Sequence, residues 1–170
     1  MGRDKSRMRL GNRTLLGWVK RAALATGMRV RVIRRDVVPS CGPLGGVMTG
    51  LRSSRAAVVV FLACDMPFVT PRLIKALLRG LRRDDAAIFS ETESGAGFPF
   101  ALRRDGLKVA EAQWARGRLS IQALASALKA RRIRLHQARR ELRNMNTPDD
   151  LPACTFPKAS MRLAKVLHAG

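Results

Sequence analysis

Apolar positions along this chain switch between helical and extended spacing. Leu15, Leu16, Val19 and Ala23 fall on one helical face, with Thr14 placed to cap the helix and Gly27 to end it. Arg29 to Ile33 reads as a short strand, Pro39 to Gly46 (PSCGPLGG) as a loop, and Val47 to Leu51 as the start of a helix. The run from Ala56, AAVVVFLAC, then delivers Asp65 into the turn DMPF. Too short to span a membrane and rich in Val and Phe, it predicts a strand buried on both faces of a sheet. Thr70-Pro71 pairs a cap with a first-turn proline ahead of a helix over Arg72 to Leu81. Ala86 to Ser90 reads as a strand, Glu91 to Gly97 as a loop, and GFPFALR as extended chain. Helical patterns around Leu107 to Trp114 and Ile121 to Leu128 follow, with Ser120 capping the second. Arg132 to His136 makes a last strand before RNMNTPDDL and a C-terminal amphipathic helix. Strands separated by helices imply βαβ units, an α/β class and a mainly parallel sheet.

Composition narrows the class. A chain of 170 residues with 46% hydrophobic positions suits one domain over residues 1–170, without internal repeats or linkers. No stretch approaches the roughly 20 apolar residues of a spanning helix. The N-terminus, MGRDKSRMR, lacks the apolar core of a signal peptide, so a cytoplasmic location away from membranes is expected. Cys41, Cys64 and Cys154 form no CxxC, and His136 and His168 are isolated, which leaves oxygen ligands for any metal. The net charge of +21 attracts polyanions without choosing among them. Its cations are scattered, and no basic block adjoins an aromatic platform in sequence, so a dedicated nucleic-acid module is the weaker reading. The oligomeric state leaves no mark in the sequence.

Three places could carry chemistry. Asp65 stands where a strand ends, the position at which open α/β sheets bind ligands, so it is a candidate metal or substrate ligand; an ordinary turn carboxylate is the competing reading. The glycines of Gly42-Pro43-Leu44-Gly45-Gly46 allow a ligand close to the backbone ahead of a helix N-terminus, although a tight strand-to-helix turn explains them equally well. Asn144 and Asn146, in Asn144-Met145-Asn146-Thr147-Pro148, are harder to assign to capping than Thr147 before its proline.

In order, GRDKSRMRLGNRTLLGWV, CGPLGGVMTGL, FLACDMPFVTPRLI, GFPFALRRD and NMNTPDDL resemble successive signatures of the molybdenum cofactor guanylyltransferases and related nucleotidyltransferases. The resemblance covers nearly the whole chain. It implies a Rossmann-like three-layer α/β sandwich and magnesium-assisted transfer of a nucleotidyl group to a phosphorylated acceptor, with release of pyrophosphate. GTP would be the donor and molybdopterin the acceptor. By motif, Lys5 would contact donor phosphates, Gly2 would belong to the nucleotide-binding residues, and Asp65 would hold magnesium. Asp36, Gly42, Pro43, Leu44 and Gly46 would form the nucleotide pocket, and Asn144 and Asn146 would face the acceptor. Such a transfer needs positioning and charge neutralisation more than a protein nucleophile, which suits Lys5 and Asp65 as the catalytic pair.

Two departures from the pattern bear on these expectations. Family members begin with a buried strand running into LAGGxSxRMGxDK, and this chain starts at the Met of that pattern. The domain is therefore expected to be truncated at its N-terminus, with the true start codon upstream. The segment between Gly27 and Asp36, which often helps to recognise guanine, is short. Cytidylyl or sugar-phosphate transfer and a non-catalytic basic nucleotide- or nucleic-acid-binding protein remain the alternatives.

Overall fold

A computed structural model describes residues 8–34, 42–93, 95–134, 140–142 and 144–145. It opens with a two-stranded hairpin that the sequence pattern did not reveal, β1 (Arg9–Leu10) against β2 (Arg13–Thr14), with Gly11 in the left-handed region its turn requires. Thr14 then caps α1 (Leu15–Leu24) as expected, its hydroxyl accepting from the Gly17 N–H. Arg29 to Ile33, expected as a strand, forms no ladder among the described residues.

The expected loop through Gly46 is corrected as well: Gly42 to Gly46 already belong to α2 (Gly42–Arg52). Leu44, Val47, Met48 and Leu51 recur at helical spacing and are almost wholly buried, and burying this apolar face outweighs the glycines' poor helix propensity. The chain continues through β3 (Val58–Phe61), α3 (Pro71–Gly80), β4 (Ala87–Thr92), β5 (Gly95–Arg103), α4 (Gly106–Ala115), α5 (Ile121–Ala127) and β6 (Arg131–Ile133). The segment expected as a loop from Glu91 to Gly97 is mostly a hairpin, with Thr92 paired to Gly95. The expected C-terminal helix lies outside the described residues.

The main sheet has the order β3-β5-β4-β6. β4 and β6 are parallel, and β5 runs antiparallel to both β3 and β4. Three of the four strands therefore share one direction, and the sheet is mixed through β5 alone. Its two faces follow from strand alternation. Phe61, Phe89, Phe100 and Leu102 point to one face and meet α2, α4 and α5. Val58, Val60, Ile88 and Ala101 point to the other, where Leu73, Ile74 and Leu77 of α3 and Val19 of α1 cover them. This is the three-layer α/β arrangement.

The three phenylalanines stack in line across β3, β5 and β4, with centroids 5.0 Å apart for Phe61–Phe100 and 4.5 Å for Phe89–Phe100. Each such pair contributes about 0.5–1.5 kcal/mol beyond its burial. β3 was expected to be buried on both faces, yet its three valines are half-buried and only Phe61 is buried. The reason is its place at the edge of the sheet among the described residues. No helix among those residues is long and apolar enough to cross a membrane.

Candidate functional site

The end of β3 sets the geometry. After Phe61 the chain leaves the sheet, and Met66, Phe68 and Val69 turn back into the core, each less than a tenth exposed. Their burial, with the Val69 N–H bonded to the Met66 carbonyl at 3.2 Å, fixes the turn that carries Asp65. Thr70 ends the turn by accepting from the Leu73 N–H at 3.1 Å, and Pro71 starts α3 where no intrahelical donor is needed. Asp65 lies partly exposed in this loop, but its Oδ1 is buried and has no hydrogen-bond partner among the described residues.

A remote segment closes on the same loop. The Met145 N–H donates to the Asp65 carbonyl at 2.8 Å, and the Met145 side chain is fully buried with Leu10, Leu15 and Phe68. Asn144, immediately before it, is exposed. Asp65 and Asn144, 79 positions apart in sequence, are thus brought together by one backbone hydrogen bond and one apolar anchor. Glu141 extends the contact, because the Thr70 hydroxyl donates to its Oε1. Sequence reasoning missed Met145 and Glu141. A lone Met between two asparagines has no periodicity that betrays burial, and a carboxylate reaching back 71 positions leaves no local signal.

The remaining expected residues divide. Gly42, Pro43, Leu44 and Gly46 sit on the first turns of α2, with Gly42 and Pro43 exposed and Leu44 in the main core, so only backbone atoms of Leu44 could meet a ligand. The first-turn N–H groups of α2 have no partner within the helix, and no acidic side chain stands in that turn. Gly50, further along α2, packs on Phe61, so the helix is anchored at the end of β3 from which Asp65 projects. Gly2, Lys5, Asp36 and Asn146 lie outside the described residues.

A cavity of about 250 Å³ opens at the opposite end of the sheet, lined by Asp85, Arg103, Asp105, Gly106 and Val109. Arg103 there donates to the carbonyls of Asp85 and Arg82, so its guanidinium is already committed to the fold. Asp65 differs in keeping a buried carboxylate oxygen without a hydrogen-bond donor among the described residues. A buried carboxylate oxygen without a donor is suited to a hard cation, and Asp65 offers oxygen only. No cluster of three potential metal ligands occurs among the described residues, so a cation here would need water or substrate oxygens to complete its shell.

Comparison with known proteins agrees with this fold. The MobA-like NTP transferase domain matches residues 1–135. A molybdenum cofactor guanylyltransferase from Pseudomonas putida KT2440 is 31% identical, over 88% of this chain and 87% of its own length. Another from Pseudomonas entomophila L48 is 36% identical over 64% of this chain, and the match spans only 58% of that relative. The crystal structure of molybdopterin-guanine dinucleotide biosynthesis protein A from Archaeoglobus fulgidus superimposes with a TM-score of 0.70 at 20% identity, covering 89% of each chain. A mixed sheet between two helical layers, an acidic turn at a strand end and a family match over most of the sequence converge, and the chain belongs to the MobA-like NTP transferase family.

Proposed function

We propose that this protein is a cytoplasmic nucleotidyltransferase that moves GMP from GTP to the phosphate of a molybdopterin-type acceptor and releases pyrophosphate. The observation that carries the reading is the buried Oδ1 of Asp65, unpartnered among the described residues, in the turn after β3 that the segment of Asn144 and Met145 closes on. An acceptor phosphate oxygen attacks the α-phosphorus of the nucleotide, the new P–O bond forms, and the bond to the β-phosphate oxygen breaks to free pyrophosphate. The protein's part is to hold the two substrates in line and to balance their charge.

Asp65 would hold magnesium, which when bound neutralises negative charge on the donor phosphates. The first-turn N–H groups of α2 point partial positive charge out of the helix and suit an anionic group of the nucleotide. Lys5, Gly2 and Asp36 complete the proposed donor side, and Asn144 and Asn146 the acceptor side, where amides can both donate to and accept from a polar acceptor.

The test pairs turnover with binding. Pyrophosphate release should require molybdopterin together with magnesium and should favour GTP over CTP. A nucleotide present at about 100 times its Kd should also stabilise the folded protein by about 2.7 kcal/mol, seen as a raised Tm that a short RNA does not reproduce. Absence of pyrophosphate with every NTP and acceptor pair from a folded, nucleotide-binding protein would end the transferase reading. Preference for CTP would replace the donor.

A further inference from the structure

Thr70 does two jobs with one hydroxyl. Its oxygen accepts from the Leu73 N–H to cap α3, and its proton goes to Oε1 of Glu141. The first turn of α3 contains no acidic residue of its own, so Glu141 brings from a distant part of the chain the negative charge that a helix N-terminus favours. A hydrogen bond to a carboxylate is directional and stronger than a neutral one.

The residues that follow are held differently. Leu142 packs against the cluster of Val19, Ala22, Val69, Leu73 and Ile74, and Met145 fills the pocket of Leu10, Leu15 and Phe68. Apolar contacts of this kind hold a segment near a surface without fixing its rotation or register. Polar links add that precision, among them Glu141 to Thr70 and the Met145 N–H to the Asp65 carbonyl. Asn144 is exposed between them.

We propose that Glu141 is a positioning residue for the acceptor side, fixing Asn144 relative to Asp65 through the Thr70 hydroxyl; its kinetic consequence rests on the nucleotidyl-transfer reading, and its structural consequence on the geometry alone. In this role Glu141 acts through Thr70 rather than on a substrate. Losing its carboxylate leaves both apolar anchors in place, so the fold survives while Asn144 and the Met145 amide lose their fixed register. An acceptor held by Asn144 then binds less well, whereas a nucleotide bound on the α2 and Asp65 side is little affected.

Hydrogen exchange on the full chain and steady-state kinetics test this together. In Glu141→Ala the Met145 amide should exchange about tenfold faster, the scale expected from losing one charge-assisted bond, while the Leu124 amide inside α5 keeps its wild-type rate. The KM for molybdopterin should rise about tenfold with the KM for GTP unchanged within about twofold. Glu141→Gln keeps an acceptor oxygen for Thr70 and should recover most of both effects, and Thr70→Ser, which keeps both hydroxyl bonds, should behave as wild type. Unchanged Met145 exchange in Glu141→Ala overturns the role whether or not the enzyme turns over, as does an equal rise in both KM values. A wild-type protein with no transfer activity would instead defeat the nucleotidyl-transfer reading, and the exchange measurement would still decide the geometry.

Discussion

Asp65 keeps one carboxylate oxygen buried without a donor among the described residues, and an unsatisfied buried polar atom ordinarily costs about 1–3 kcal/mol. Asp65→Asn preserves shape and removes charge, so turnover should fall at least about a hundredfold, the scale of losing a principal electrostatic contact, while the Tm stays close to wild type. Undiminished turnover at limiting magnesium would take Asp65 out of the site, and a large fall in Tm would make it a turn residue after all. Gly50 is a second position where one atom decides. A Cβ there would stand 2.6 Å from Cε1 of Phe61 and 3.2 Å from Cδ1 of Ile33. The Phe61 ring cannot swing away freely because it stacks on Phe100. Alanine gains up to about 1 kcal/mol in helix propensity over glycine, whereas overpacking a filled core costs about 1–3 kcal/mol. Gly50→Ala should therefore lower the denaturation midpoint, and a raised midpoint would show that α2 can lift off Phe61 at little cost.

At the scale of elements, the caps were the most legible features, because each depends on a single side chain beside its own helix. Thr14, Thr70 and Ser120 all accept from the N–H three residues on, as their sequence context predicts. α5 has only seven residues, so its cap should matter disproportionately. Ser120→Ala should cost about 1 kcal/mol, read as a shift in the urea midpoint without a change in slope, and Ser120→Asp should restore most of it. No shift on alanine would mean that packing of Ile121 and Leu124 alone sets the helix. What the sequence did not disclose depended on distant partners. Gly42 to Gly46 looked like a loop because glycine is a poor helix former, and only the sheet beneath Leu44 and Val47 makes a helix there worthwhile. β3 read as doubly buried because its composition is that of a central strand, whereas its exposure depends on its neighbours in the sheet. Among the site residues, Asp65 and Asn144 were visible as types in suggestive positions. Their proximity was not, since it comes from Met145 and from a hydrogen bond between residues far apart in the sequence. The pair Arg13 and Arg21, each 5.7 Å from the Trp18 ring centroid, likewise forms a basic and aromatic cluster that linear reading missed.

Charge acts on the molecule as a whole, and the two helical layers do not share it equally. α1 and α3 carry Lys20, Arg21, Arg72, Lys75 and Arg79 with no acidic residue, while α2, α4 and α5 carry Arg52, Lys108 and Glu111. Ion pairs do little to offset the excess. Arg52–Glu111 at 2.9 Å and Arg134–Glu91 at 3.1 Å involve well-exposed arginines, and surface pairs of this kind contribute about 0–1 kcal/mol. With 33 basic against 12 acidic residues, long-range repulsion in the folded state should outweigh these local attractions. Salt screens both, but it reaches separated like charges first: the Debye length falls from about 30 Å at 0.01 M to about 10 Å at 0.1 M, still longer than a contact pair. The Tm should consequently rise by a few degrees over that range, equivalent to about 1–2 kcal/mol for a chain of this size. Replacing Arg72, Lys75 and Arg79 together by Gln removes three exposed charges from the more basic layer and should flatten the rise while raising the low-salt Tm. A Tm that falls with salt in the native sequence, or a triple variant with an unaltered slope, would show that local pairs and not the net charge control stability.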